Sequence, residues 1–215
     1  TDTYGTTESV NSSPTASVTP IQMVSATFTG TVAEEWVIGT SGNDKISSAG
    51  GKDILDGVAG TDSLVGGGGD DRYIIDLTAA GALQDTVTEA SSSGNDTIQL
   101  RGTSTNLTAT TITLGANVEN LDASGTSNSL LNFTGNALAN NLIGNDAANV
   151  LTGGAGADTM DGGKGSDIYV VALVTDYATG EVIADTGSGG SDELRFTTTT
   201  ASTLTLVKDT LTGIE

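Results

Sequence analysis

The sequence predicts an all-β solenoid made of two tandem copies. Three observations predict it: a nine-residue period with Asp or Asn at its sixth place, a longer period that repeats the first array, and no window with a convincing 3.6-residue apolar rhythm. Glycine supplies 30 of 215 residues and aromatic residues only 4%, so the core must be narrow and built from thin layers of Val, Ile and Leu.

Composition also removes whole classes of function. With no Cys and no His the chain has no disulfides, no thiol chemistry, no Cys- or His-based metal site and no His general base, which excludes most hydrolase triads. Lys and Arg number 7 against 27 Asp and Glu, a formal charge of -20 that repels nucleic acid and anionic membranes and attracts cations. Of the acids, 19 are Asp and 8 are Glu, a bias that suits loops and metal-binding turns. No stretch approaches the roughly 18 apolar residues of a membrane span, so membrane insertion is not expected. Thr1 opens no charged-then-apolar leader, and the chain is expected to be a mature segment or an excised piece.

In chain order, residues 1–20 hold both prolines and little that can pack, and residues 1–27 are expected to be a linker or a strand-like arm ending in Ile21-Gln22-Met23-Val24. The first copy is expected over 28–125. Its array starts with GTVAEEWVI from Gly30 and continues as GTSGNDKIS, SAGGKDILD, GVAGTDSLV and GGGGDDRYI. Position six is thus Glu35, Asp44, Asp53, Asp62 and Asp71, and position eight is Val37, Ile46, Leu55, Leu64 and Tyr73. A 16-residue insertion follows, then the isolated repeat SSSGNDTIQ with Asp96 at position six. The second copy, expected over 126–215, repeats the plan: GNALANNLI, GNDAANVLT, GGAGADTMD and GGKGSDIYV place Asn140, Asn149, Asp158 and Asp167 at six and Leu142, Leu151, Met160 and Tyr169 at eight. Its 16-residue insertion leads to GSGGSDELR with Asp192. Phe28-Thr29-Gly30 recurs as Phe133-Thr134-Gly135 at an offset of 105, which falls to 96 after the extra nonapeptide Gly57–Val65 and then equates Glu89 with Asp185. Alternation at Thr111–Leu114 and Thr203–Leu206 predicts half-buried strands, and no helix is needed. Tyr73 and Tyr169 are expected to cover the last core layer of their arrays, and Trp36 to cap the first turn.

Within each nonapeptide the first six residues form a Gly-rich turn and the last three a short strand, whose period of two aims position eight inward. If successive strands alternate between two sheets, position six of one repeat stacks on position six of the repeat eighteen residues on. Stacked strands lie about 4.8 Å apart and calcium–oxygen bonds are about 2.3–2.6 Å, so a calcium ion fits between two stacked turns with a carboxylate on each side and turn carbonyls completing its shell. This pairs Asp44 with Asp62 on one edge, and Glu35 with Asp53 and Asp53 with Asp71 on the other. In the second copy it pairs Asn140 with Asp158 and Asn149 with Asp167. Glu89 and Asp185, eighteen residues beyond Asp71 and Asp167, are candidate closing ligands, and Asp96 and Asp192 are candidates for the same end sites.

The nonapeptides resemble the G-G-x-G-x-D-x-U-x units of the RTX (repeats-in-toxin) calcium-binding family, best at Gly66–Ile74, Gly153–Asp161 and Gly162–Val170. The stretches LGANVENLDASG (Leu114–Gly125) and TGNALANNLIGN (Thr134–Asn145) are similar to connecting segments of long tandem proteins of that kind. The resemblance covers about residues 28–215. It implies a parallel β-roll, export by a type I secretion system and folding on calcium outside the cell. Two departures stand out: Ser48-Ala49 replaces the leading Gly pair and Val58 replaces a Gly, so the carbonyl geometry of those turns is open. The family's C-terminal secretion signal is not recognisable at Thr210–Glu215, and a further piece is expected.

The function expected is a secreted structural calcium-binding module of a bacterial surface layer, adhesin or matrix protein, or of a larger RTX protein. The alternative is an accessory carbohydrate-binding or stabilising module of a secreted polysaccharide-active enzyme. Enzymatic activity is not expected, because the Asp residues that could pair for catalysis are taken up by the repeat frame. Calcium ions are the expected partner. Self-assembly through the N-terminal arm and cell-surface polysaccharide are left open, and nucleic acid is not expected.

Overall fold

The computed structural model describes residues 18–91, 94–171, 180–197 and 211–212. Residues 1–17 of the expected arm, and the strand expected at Thr203–Leu206, lie outside them. The chain divides into two units, one of residues Thr1–Asp76 with Leu83–Gln99 and one of Leu77–Ala82 with Leu100–Glu215.

The first unit contains β1 (Ile21–Gln22), β2 (Thr27–Thr29), β3 (Trp36–Ile38), β4 (Lys45–Ser47), β5 (Ile54–Asp56), β6 (Ser63–Val65), β7 (Arg72–Asp76) and β8 (Thr86–Val87), with β9 (Thr97–Arg101) beginning at its end. Odd strands β1, β3, β5 and β7 pair in that order and even strands β2, β4, β6 and β8 in theirs, every pair parallel. The register is Val37 with Leu55 with Tyr73 in one sheet and Phe28 with Ile46 with Leu64 in the other. A nine-residue repeat is therefore half a coil, and eighteen residues make a full one. Position eight falls inside in both sheets: Val37, Leu55, Leu64 and Tyr73 are 0% exposed and Ile46 is 1%. Each such aliphatic side chain contributes about 1.5–3 kcal/mol by leaving water, and each coil supplies only two.

The second unit repeats the arrangement with β10 (Thr110–Thr113), β11 (Asn120–Asp122), β12 (Leu131–Thr134), β13 (Asn141–Asn145), β14 (Val150–Thr152), β15 (Thr159–Gly163), β16 (Ile168–Val171), β17 (Val182–Ala184), β18 (Glu193–Phe196) and β19 (Leu211–Thr212). Odd and even strands again form separate parallel ladders, with Leu142, Met160 and Ile183 stacked in one and Phe133, Leu151 and Tyr169 in the other. The all-β parallel solenoid read from the sequence is thus the observed fold. One turn of 3₁₀ helix, Ser124–Thr126, departs from the expectation that no helix is needed. Local hydroxyls form it: the Thr126 Oγ1 donates to the Ala123 carbonyl at 2.7 Å and the Ser129 Oγ to the Thr126 carbonyl at 2.8 Å.

Three sequence expectations change in detail. Tyr73 and Tyr169 are interior residues rather than lids, and each hydroxyl accepts the N–H of a position-one glycine, Gly66 or Gly162, at 2.7 Å. Trp36 is not a terminal cap but part of β3, flanked by β1 and β5, because Ile21 and Gln22 add a strand before it. Ala49 and Val58 take φ of 76° and 70°, the left-handed conformation that Gly67, Gly154 and Gly163 take at the same place in their repeats. The turn geometry is kept there at a steric cost of about 1–2 kcal/mol per residue, and the Val58 N–H still reaches Asp56 Oδ1 at 3.0 Å.

Candidate cation sites

Position six sits at the corner where each turn enters its strand, and the coil-to-coil stacking converts these residues into ladders. In the first unit the N–H of Glu35 donates to Asp53 Oδ1 at 2.7 Å, that of Asp53 to Asp71 Oδ1 at 2.8 Å, and that of Asp44 to Asp62 Oδ1 at 2.8 Å. In the second, Asn140 N–H donates to Asp158 Oδ1 at 2.8 Å and Asn149 N–H to Asp167 Oδ1 at 2.7 Å. All five bonds join residues eighteen apart, so the stacking partners are those the repeat frame named.

The step changes at the insertions. Asp71 N–H donates to Asp96 Oδ1 at 2.8 Å, and Asp167 N–H to Asp192 Oδ1 at 2.8 Å, twenty-five residues on in both cases. Glu89 and Asp185 are therefore not the next rungs, as an eighteen-residue step would have it. The N–H of Thr88 pairs with the Leu64 carbonyl, which puts Glu89 one coil beyond Gly66. Gly66 is where an added Cβ would overlap Asp71 Oδ2. From there Glu89 still joins the group: one carboxylate oxygen from each of Asp71, Glu89 and Asp96 lies within 4.8 Å of the others, and Asp167, Asp185 and Asp192 form the same group in the second unit.

On the other edge, the N–H of Asp62 donates to Asp85 Oδ1 at 3.0 Å and that of Asp158 to Glu181 Oε2 at 3.2 Å, twenty-three residues on. Sequence reading missed Asp85 and Glu181, which lie in the insertions without the glycines that mark a repeat. The one available signal was the 96-residue offset, which equates them.

The ladder takes one oxygen of Asp53, Asp62, Asp71, Asp85 and Asp167. Glu35 and Asp44 are instead held within their own turns: the Thr31 N–H donates to Glu35 Oε1 at 2.8 Å, and Thr40 donates its N–H to Asp44 Oδ2 at 2.6 Å and its hydroxyl to Asp44 Oδ1 at 3.0 Å. Glu35 Oε2 and the Oδ2 atoms of Asp53, Asp62, Asp71, Asp85 and Asp167 are buried with no hydrogen-bond partner. An ionised oxygen held this way in the interior is costly unless it is protonated or meets a cation. Carbonyls converge on the same places. An added Cβ on Gly39 would lie 2.5 Å from the Gly57 carbonyl oxygen and 2.7 Å from Asp44 Oδ2, and at Gly57, Gly66, Gly153 and Gly162 it would overlap Oδ2 of Asp62, Asp71, Asp158 and Asp167. Only glycine leaves room for this gathering of oxygens. A donor set of carboxylates and carbonyls without nitrogen or sulfur fits a hard cation of calcium type.

Asn140 and Asn149 differ from the expectation that they offer neutral oxygens to a cation. Their Oδ1 atoms accept the N–H of Asn136 and Asn145 at 2.7 and 3.0 Å. Asn140 Nδ2 lies 3.3 Å from the Val118 carbonyl oxygen and 3.2 Å from that of Glu119, and Asn149 Nδ2 donates to the Leu131 carbonyl at 2.8 Å and to Asn145 Oδ1 at 3.1 Å.

Burial raises the carboxyl pKa of Asp53 to about 7 and those of Asp71 and Asp167 to about 6, with neighbouring carboxylates adding to the shift. Burial also raises the facing pair Asp62 and Asp85, and Asp185. A raised carboxyl pKa means the folded chain holds its proton more tightly than the unfolded one. Cation-free stability is therefore present below the unfolded value of about 4 and is lost as pH rises through about 6–7. In chelator, acidification from about pH 8 to about pH 5 is expected to increase the strand signal in circular dichroism; a spectrum flat over that range would count against buried carboxylate repulsion as the obstacle to folding.

Residues 29–64, 47–74 and 134–169 match the family model described as the RTX calcium-binding nonapeptide repeat, in four copies. No curated protein and no solved structure matches the chain.

Proposed function

Because the chain carries RTX calcium-binding nonapeptide repeats, we propose that it is a secreted structural module that takes up calcium ions outside the cell and becomes rigid as it does so. The observation that carries this reading is the set of buried carboxylate oxygens without hydrogen-bond partners, repeated from coil to coil beside glycines that hold the space open. The proposed ligands are Glu35, Asp44, Asp53, Asp62, Asp71, Asp158 and Asp167 within the repeats, and Glu89, Asp96, Asp185 and Asp192 in the two three-carboxylate groups. Asn140 and Asn149 are left out because their amide nitrogens already donate to carbonyl oxygens. A bound calcium would supply the positive charge that lets these carboxylates approach one another.

Two apolar residues per coil give too thin a core to offset chain entropy of about 1–2 kcal/mol per residue, so cation binding becomes part of the folding free energy. A chain of this kind can be exported unfolded and lock on arrival in a calcium-rich medium. We assign it, on that basis, to a surface-layer, adhesin, matrix or larger RTX protein, with copies over 28–125 and 126–215 and an arm over 1–27.

The test is a calcium titration followed by far-UV circular dichroism. Cooperative strand formation is expected at about 10⁻⁴–10⁻³ M calcium, the range of extracellular modules, and magnesium should not substitute because it demands a tighter octahedral shell. A calcium-free spectrum already rich in strand, and unchanged by calcium, would overturn the reading.

A further inference from the structure

Each array ends in an insertion, and the ladder described above does not stop there. The rung that follows Asp62 is Asp85, whose Oδ1 accepts the Asp62 N–H at 3.0 Å while the Thr86 N–H donates to the Asp62 carbonyl at 2.9 Å. The rung that follows Asp158 is Glu181, whose Oε2 accepts the Asp158 N–H at 3.2 Å while the Val182 N–H donates to the Asp158 carbonyl at 2.7 Å. Both are the connections that join position six to position six inside the arrays, as between Asp44 and Asp62. Neither residue belongs to a nonapeptide, and both lie outside the segments that match the repeat family.

We infer that Asp85 with Asp62, and Glu181 with Asp158, form two further sites for a hard divalent cation of calcium type, built half from a repeat and half from the insertion that follows it. The inference rests on the calcium-binding reading above and extends it to residues outside the repeats. Two observations support it beyond the acidic pairing. Asp62 and Asp85 are 2% and 7% exposed, and the Oδ2 of each is buried without a hydrogen-bond partner. The duplication, moreover, places a second acid of different length at the same rung: Glu181, 2% exposed, stands where Asp85 stands in the first copy. A rung that needed only an acceptor for one N–H could be filled by Asn or Ser. Two different acids in corresponding buried places point to the negative charge as the common requirement.

The consequence is that each array is closed on both edges: by Asp85 of the insertion on one edge and by Glu89 of the insertion with Asp96 of the isolated repeat on the other, then by Glu181 opposite Asp185 with Asp192 in the same way. The insertions, with the isolated repeat that follows each, thus supply the final ligands to the last coil of each array.

The experiment counts calcium bound to the full chain by equilibrium dialysis and elemental analysis at saturating calcium, with circular dichroism on the same samples. Asp85→Asn and Glu181→Gln keep an oxygen that accepts the neighbouring N–H. Each is expected to lose one ion with its strand signal retained, and the double variant to lose two. Asp85→Glu, which copies the second unit, is expected to keep the wild-type count. An unchanged count in Asp85→Asn overturns the inference. So does a loss of ions and strand that is equal in Asp85→Asn and Asp85→Glu, which would assign Asp85 a packing role. Failure of the wild-type chain to bind any calcium would instead remove the calcium-binding reading itself.

Discussion

Asp53→Ala is expected to be the most damaging substitution in the first array, removing two ions and unfolding its coils at calcium levels that leave the wild type folded. Asp53 is shared. Its Oδ1 accepts the Glu35 N–H, its own N–H donates to Asp71 Oδ1, and its Oδ2 is buried without a partner in a residue 1% exposed. A ligand present at about a hundred times its dissociation constant stabilises the folded state by about 2.7 kcal/mol, so two lost ions amount to about 5 kcal/mol. The Glu35 N–H left without its acceptor adds about 1–3 kcal/mol. Against a usual domain stability of about 5–15 kcal/mol, that sum removes most or all of it. Asn140→Ala, at the foot of the second array, should lose no ion, because the Asn140 amide is committed to protein partners. Calorimetric stoichiometry with thermal melts of both variants decides the matter, and equal losses would mean that carboxylates are not shared between successive coils.

How much of this was legible in the sequence follows from which signals are local. The strands, their inward side chains and the eighteen-residue stacking were legible because every nonapeptide states them again, with Leu55, Leu64 and Leu142 each repeating the same instruction. What failed was register across an insertion. Counting eighteen from Asp71 arrives at Glu89, whereas the chain spends its extra residues before the next rung and brings Asp96 there instead. Glu89 nevertheless joins the group, because it lies one coil beyond Gly66. Asp85 and Glu181 were invisible to a search for glycine-flanked Asp and are exposed only by the duplication. The left-handed Ala49 and Val58 show a different limit. Residue identity there departs from the repeat, yet the stacked neighbours hold the backbone in the conformation that glycine would take freely.

Asn149→Asp is expected to make the foot of the second array depend on calcium. Asp44 in the first copy corresponds to Asn149 in the second. Each accepts the N–H of the residue four before it, Thr40 at 2.6 Å and Asn145 at 3.0 Å, but Asp44 brings a negative charge where Asn149 brings an N–H donor. Below Asn149 on its edge lies Leu131, which offers a backbone carbonyl and no acid, and the amide Nδ2 donates to it at 2.8 Å and to Asn145 Oδ1 at 3.1 Å in a residue 1% exposed. Those two oxygens, collected by an N–H donor, need no cation. An Asp there would turn a carboxylate oxygen toward both, leaving a buried charge uncompensated at a cost of about 3–5 kcal/mol without an ion. Asn149→Asp should therefore lower the melting temperature in chelator sharply and recover much of the loss in millimolar calcium. Asp44→Asn should lose an ion and become less sensitive to chelator. Hydrogen exchange of residues 131–152 in chelator locates the effect. Identical calcium-free melts for Asn149→Asp and the wild type would show that the amide does not stand in for an ion at that coil.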